Sequence, residues 1–250
     1  MKAENFNVII PDGKEKAEIL IREVNNNVEQ QLPVLEPDNV AISGSISAIA
    51  AFLEKRWNAA DSQIDHCRTY VIVNRDKLFM QLVANETDKR NRKEVKGIIA
   101  LSRQYNAFHI NDGHTWAPED LGQFFRINRT YFGSREENMK LVTLLKSFKA
   151  KINTDVERSI KDNGSVTDCY RQAVDSNLPP SFFISIPIFK NAPAEKIEVE
   201  VIAHVNGRDV ELELISADAA AIEEEARDSL INEQLDAISG IAPEIPIIEQ

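Results

Sequence analysis

The chain is short of glycine, cysteine and long apolar runs, and each shortage removes a class of function. Its 9 glycines in 250 residues form neither G-x-x-x-x-G-K-[ST] nor G-x-G-x-x-G. The two common phosphate-cradling loops are therefore missing, and nucleotide hydrolysis by a P-loop is not expected. Two cysteines, Cys67 and Cys169, cannot make a disulfide framework and read as small core residues of a reducing cytoplasm. No apolar run reaches the roughly 18 residues that suggest a membrane span. The opening MKAENFNVIIPDG has no apolar stretch followed by a small-residue cleavage site. A cytoplasmic protein without a membrane partner is the expectation.

What is present is an ordinary globular composition, 43% hydrophobic and 28% charged, with a net charge of −11. The charge is unevenly spread. Residues 1–53 hold 4 basic and 8 acidic side chains, 54–161 hold 20 and 14, and 162–250 hold 5 and 18, giving −4, +6 and −13. Two surfaces of opposite sign follow if these segments form separate faces, and head-to-tail self-association is one consequence. The length fits an N-terminal α+β part over 1–134 and a C-terminal part over 135–250, or one continuous domain.

Local patterns predict an α+β fold with mostly antiparallel sheet. Phe6–Ile10 reads as a strand or arm closed by Pro11-Asp12-Gly13, Lys14–Val24 as helix or strand, and Asn25–Asp38 as loop. A helix is expected from Ser45 or Ser47 to Asn58, a hairpin over Tyr70–Val73 and Leu78–Ala84, and strands over Val95–Ser102 and Tyr105–Ile110. Pro118 marks the first turn of a helix to Asn128, and Ser134 with Glu137 makes a capping box for the next. From Phe148 the alternation of FKAKINTDVE predicts a strand, with Val166–Val174 as its partner across Asp162-Asn163-Gly164. SFFISIPIFK follows as a strand at an edge or a bulge, because Pro187 cannot donate to a ladder. The runs KIEVEVIAHV and RDVELELIS flank Asn206-Gly207 as a hairpin whose apolar face is Ile197, Val199, Val201, Ala203 and Val205. Together these make a five-stranded C-terminal β-meander, followed by a helix from Ala217 to Ser239 capped by Ser216.

Few constellations carry chemistry. His109, Asp112 and His114 in HINDGH offer metal-ligand types, although Asn111-Asp112-Gly113 is also turn chemistry. A thiol nucleophile at Cys67 would need His66, but adjacent residues point apart on a strand. In the basic middle, 11 of the 17 aromatics lie among cations. Lys89, Arg90, Arg92, Lys93, Arg126 and Arg129 are the candidate phosphate contacts of a single-stranded nucleic-acid binder, with rings of FFRINRTYF stacking on bases. The bland alternative places those rings in the core, while Arg126 and Arg129 snorkel to solvent or pair with acids such as Glu136 and Glu137.

The segment NLPPSFFISIPIFK, with Pro179, Phe182, Ile184, Ile186, Pro187 and Phe189, followed by two alternating strands and an acidic helix, resembles the C-terminal part of the YfdQ-like family of phage and prophage proteins of unknown function. The resemblance covers about the last 100 residues and implies a phage or prophage origin near recombination or replication genes. It supplies no catalytic residue. The resulting expectation is a non-enzymatic protein without cofactor that acts by binding and self-association, in phage DNA metabolism or in blocking a host function. Its expected partners are further copies of itself, single-stranded DNA, or a host or phage protein.

Overall fold

The computed structural model describes residues 39–160, 173–174, 177, 179–206 and 209–250; the patterns read at Phe6–Ile10 and Lys14–Val24 lie outside them. Among the described residues, two sheets and the helices packed on them make an α+β fold in which antiparallel pairing dominates. The first sheet contains β1 (Val40–Ser45), β2 (Tyr70–Asn74), β3 (Phe79–Ala84), β4 (Lys93–Ile98) and β9 (Ile247–Glu249), in the order β1-β4-β3-β2-β9. Its centre is the expected β2–β3 hairpin extended antiparallel by β4, and β1 and β9 flank it in parallel. Asn74 Oδ1 accepts from Lys77 N at 2.7 Å in the turn. Asn85 ends β3 by taking a left-handed conformation (φ 58°) and spending its buried amide on Asp65 N, Gln63 O and Asn91 O.

One face of this sheet is covered by α1 (Ala48–Arg56), where the apolar spacing was legible, and by α5 (Ala219–Ile241); Ser47 holds the N-cap position of α1, but its Oγ bonds Ser45 Oγ and makes no capping hydrogen bond. Ile49 and Leu53 of α1, and Leu230, Ile231 and Ile238 of α5, are buried with Val71, Val73, Met80, Leu82 and Val95 of the sheet. Gly97 is required here. A Cβ on it would lie 2.8 Å from the Ile46 carbonyl oxygen, where the chain turns from β1 into α1.

The second sheet contains β5 (Thr115–Trp116), β6 (Phe182–Pro187), β7 (Ala194–Asn206) and β8 (Asp209–Ile215), antiparallel throughout, in the order β5-β8-β7-β6. Inside lie Phe182, Ile184, Ile186, Ile197, Val199, Leu212 and Leu214, so the register read from the alternation holds. β6 is an edge strand, as Pro187 requires, and the chain covers part of that edge itself. Phe132 bridges Ile184, Leu101 bridges Phe189, and Ser102 N donates to Ile188 O at 2.7 Å. Asn206 pairs with Asp209 as the last residue of β7. It is therefore not a central turn residue, and the connection 207–208 lies outside the described residues.

Two expected strands are helices. α2 (Arg103–Phe108) replaces the strand expected over Tyr105–Ile110. Ser102, extended at φ −69°, ψ 155°, caps it by accepting from Tyr105 N at 2.9 Å, and Phe108 one turn on is fully buried. α3 (Pro118–Ile127) starts at its proline as expected, and α4 runs from Arg135 to Ile160 behind the Ser134 cap, whose Oγ accepts from Glu137 N at 3.1 Å. α4 thus absorbs the segment read as a strand from Phe148. Leu141, Leu145, Phe148 and Ile152 form one stripe at helical spacing and are all buried. Continuing a capped helix adds a hydrogen bond per residue, whereas a strand there needs a partner. Of the proposed partner Val166–Val174, only Ala173 and Val174 are described; both are helical and pack on Phe148 and Ile152. Among the described residues the C-terminal sheet accordingly has three consecutive meander strands plus β5, where five meander strands were expected.

Candidate functional site

The segment between α2 and β5 holds the densest chemistry among the described residues. Here the chain reverses through three residues of positive φ, His109 (53°), Asn111 (59°) and Gly113 (78°). Asn111 pins the reversal to the junction of β8 and α5: its Nδ2 donates to Ser216 O at 2.8 Å, its Oδ1 accepts from Ser216 N at 2.9 Å, and its own N–H donates to Leu214 O. Ser216 is therefore taken up by Asn111 rather than capping α5, whose N-cap is Asp218.

On this pinned loop the three residues read as metal ligands do come together. His109 Nδ1 sits 2.6 Å from Asp112 Oδ2, and the His109 and His114 rings stack with centroids 4.2 Å apart. Trp116 meets both imidazoles edge-on. Asp112 Oδ1 also accepts from His114 N at 3.0 Å. Partial burial pushes the Asp112 carboxyl up, but the hydrogen bonds from His109 and His114 outweigh it, and the group lies below its ordinary value. No group of three or more His, Cys, Asp or Glu side chains among the described residues has the geometry to hold a metal ion. The arrangement is a hydrogen-bonded turn that brings His109, Asp112 and His114 together.

Beside it, Leu101, Tyr105, Asn106, His109, Ile110, Asn111, Asp112, Ala220 and Glu223 line an open groove of about 290 Å³. Tyr105 Oη donates to Glu223 Oε2 at 3.3 Å across it. Burial, with the Glu223 charge behind it, pushes the Tyr105 phenol up to about 12.

The outer face of the second sheet is the other concentration of charge. The register places Glu198 and Glu200 of β7 and Glu211 and Glu213 of β8 on the side away from the core, with Lys196 and His204. Several are held in place: Glu198 accepts from Ser181 Oγ, Glu211 from Thr115 Oγ1, and Glu213 lies 2.7 Å from His204 Nε2. Phe183 and Ile202 project from the same face at 41% and 40% exposure, too high for core residues.

The residues read as phosphate contacts divide between two places. Lys89, Arg90, Arg92 and Lys93 belong to the β3–β4 loop and the start of β4. Lys89 and Arg90 are exposed, Arg92 Nε lies 2.8 Å from Glu94, and Lys93 is buried. Arg126 ends α3 and Arg129 opens the turn after it; both are exposed, and neither forms an ion pair with Glu136 or Glu137. The neighbouring rings are in the core: Phe108 and Phe125 are fully buried, and Phe125, Phe132 and Phe182 pack edge-on or stacked. The exposed arginines stand beside Ile127, which is 72% exposed, while Phe124 and Tyr131 of the same segment are half-buried. Cys67 is exposed rather than a core residue, and His66 turns away from it to stack on Trp57 at 3.8 Å; Cys169 lies outside the described residues.

No protein-family model, curated protein or solved structure matches this chain. Among the described residues, no helix is long and apolar enough to cross a membrane.

Proposed function

We propose that this is a non-enzymatic binding protein that self-associates head to tail. In this reading the acidic outer face of the second sheet receives the Arg126-Ile127-Arg129 corner of another copy. The observation that carries the reading is the composition of that face: Glu198, Glu200, Glu211 and Glu213 share it with exposed Phe183, over whose ring Lys196 Nζ lies, and with exposed Ile202. Acidic groups around apolar anchors match a surface with the opposite charge and its own exposed aliphatic group, and Arg126, Ile127 and Arg129 provide one. A phage or prophage setting, with a host or phage protein as a further partner, is consistent with the resemblance of the NLPPSFFISIPIFK region.

Charge reversal on both sides tests the reading. Glu198→Lys with Glu200→Lys should leave a monomer, and so should Arg126→Glu with Arg129→Glu. Mixing the two reversed proteins should restore association, because each then offers the other a complementary face. A wild-type protein that sediments as a strict monomer at low salt across micromolar concentrations sinks the reading. The exposure of Arg126 and Arg129 also keeps a second reading open, in which they contact single-stranded DNA. A monomer that binds single strands at low salt, and loses this on reversal of the two arginines, would replace the first reading with the second.

A further inference from the structure

We infer that the groove between α2, the His109–Gly113 turn and the start of α5 is a binding site for an alkylammonium or guanidinium cation, either a free diamine or a lysine or arginine side chain. This site is separate from the acidic sheet face, and neither depends on the other.

The lining states the chemistry. Leu101, Ile110, Ala220 and the Tyr105 ring offer apolar walls for an aliphatic stem, and Asp112 and Glu223 are the two carboxylates; His109, paired with Asp112, is the one basic side chain of the lining, which holds no Lys or Arg. An anionic ligand would meet two like charges, and a neutral apolar one would have to strip water from both carboxylates. A cation on a short apolar stem satisfies both parts, and the Tyr105 ring adds a face that attracts positive charge. The volume of about 290 Å³ suits a ligand of a few carbon atoms.

The carboxylates are also prepared for this role. Glu223 is held by the Tyr105 hydroxyl, which stays protonated through the neutral range and so remains a donor. Asp112 is oriented by His109 and by the His114 amide. The loop that carries Asp112 is fixed to the sheet by the paired hydrogen bonds of Asn111 with Ser216. A site whose charged groups are already positioned loses little on ordering them around a ligand.

The test is a titration of the isotope-labelled full chain, followed by amide and histidine-ring NMR shifts. The probes are putrescine, N-acetyl-lysine methylamide and N-acetyl-norleucine methylamide, the last matching the lysine stem without its charge. The expected result is saturable shifts confined to Leu101–Asp112 and Ala220–Glu223 with the two cations and no saturation with norleucine. Whichever cation saturates first identifies the source, free amine or side chain. Glu223→Gln keeps an acceptor oxygen for the Tyr105 hydroxyl, and Asp112→Asn keeps one acceptor, for the His114 amide, while giving up the carboxylate oxygen that faces His109; each should weaken binding about tenfold. The inference is overturned if neither cation saturates by about 10 mM, if norleucine binds equally well, or if both variants, with unchanged spectra elsewhere, bind like wild type.

Discussion

Asn111 shows how much structure one residue can carry. It adopts a left-handed backbone (φ 59°) that asparagine tolerates, and its amide makes two hydrogen bonds to Ser216, which is 4% exposed. Asn111→Ala should cost about 2–4 kcal/mol in denaturant unfolding, from buried groups left unpaired plus backbone strain. Asn111→Gly should recover about 1 kcal/mol of that, since only the strain is relieved. The sequence marked Asn111-Asp112-Gly113 as a turn but could not show what the side chain would reach, because Ser216 is 105 residues away. Tyr105 makes a second prediction at this scale. Its phenol is raised to about 12 in the fold by burial and Glu223, whereas an unfolded tyrosine ionises near 10. A raised folded value means the contribution is complete below the unfolded pKa and lost as pH rises through the folded one. Stability should therefore fall between about pH 10 and pH 12 more steeply in wild type than in Tyr105→Phe. Equal slopes in the two proteins would show that Tyr105 ionises freely.

At the scale of elements, sequence and structure agree where the period was unambiguous and local chemistry marked the ends. The β2–β3 hairpin, α3 behind Pro118 and the start of α4 at Ser134 belong here; in β7–β8 and α1 the period was right, but Asn206 lies in β7 and Ser47 makes no capping bond. They part where one segment satisfies two periods. Leu141, Leu145, Phe148 and Ile152 fit a helix, and FKAKINTDVE also alternates. The covering partner decided for the helix, since Ala173 and Val174 pack on the buried stripe. Helix α3 crosses α4 at Gly122, where a Cβ would meet Leu145 Cβ at 3.1 Å. Gly122→Val should force the helices apart and cost about 1–3 kcal/mol. The register of the second sheet gives a sharper comparison. Val199 is fully buried, and Glu198 beside it is exposed. Val199→Ala should cost about 2 kcal/mol, against no more than about 0.5 kcal/mol for Glu198→Ala. The reverse ranking in chemical denaturation would mean that the acidic face, not the apolar one, is buried.

At the scale of the whole molecule, the parts hidden from the sequence are those made by distant residues. β1 pairs in parallel with β4, and β9, three residues long, joins β2 from the far end of the chain. Neither has a turn or an alternation to announce it. Arg75 fastens that closure, with one guanidinium reaching Asp228 of α5 at 3.1 Å and Glu249 of β9 at 2.9 Å. The segregation of charge, by contrast, was legible, and the structure gathers four glutamates of the acidic third on one sheet face while leaving Arg126 and Arg129 exposed elsewhere. The two surfaces are different patches, so copies joined through them meet head to tail, and unless the rotation closes a ring the product grows without a fixed size. Average mass from light scattering should therefore rise steadily with concentration instead of reaching a dimer plateau. The charges stand at the surface, so raising the salt from about 0.1 M to 1 M shortens the screening length from about 10 Å to 3 Å and should return the protein to monomers. A plateau at two copies that survives 1 M salt would point instead to an apolar, isologous contact, and the acidic face would then be a solvated surface.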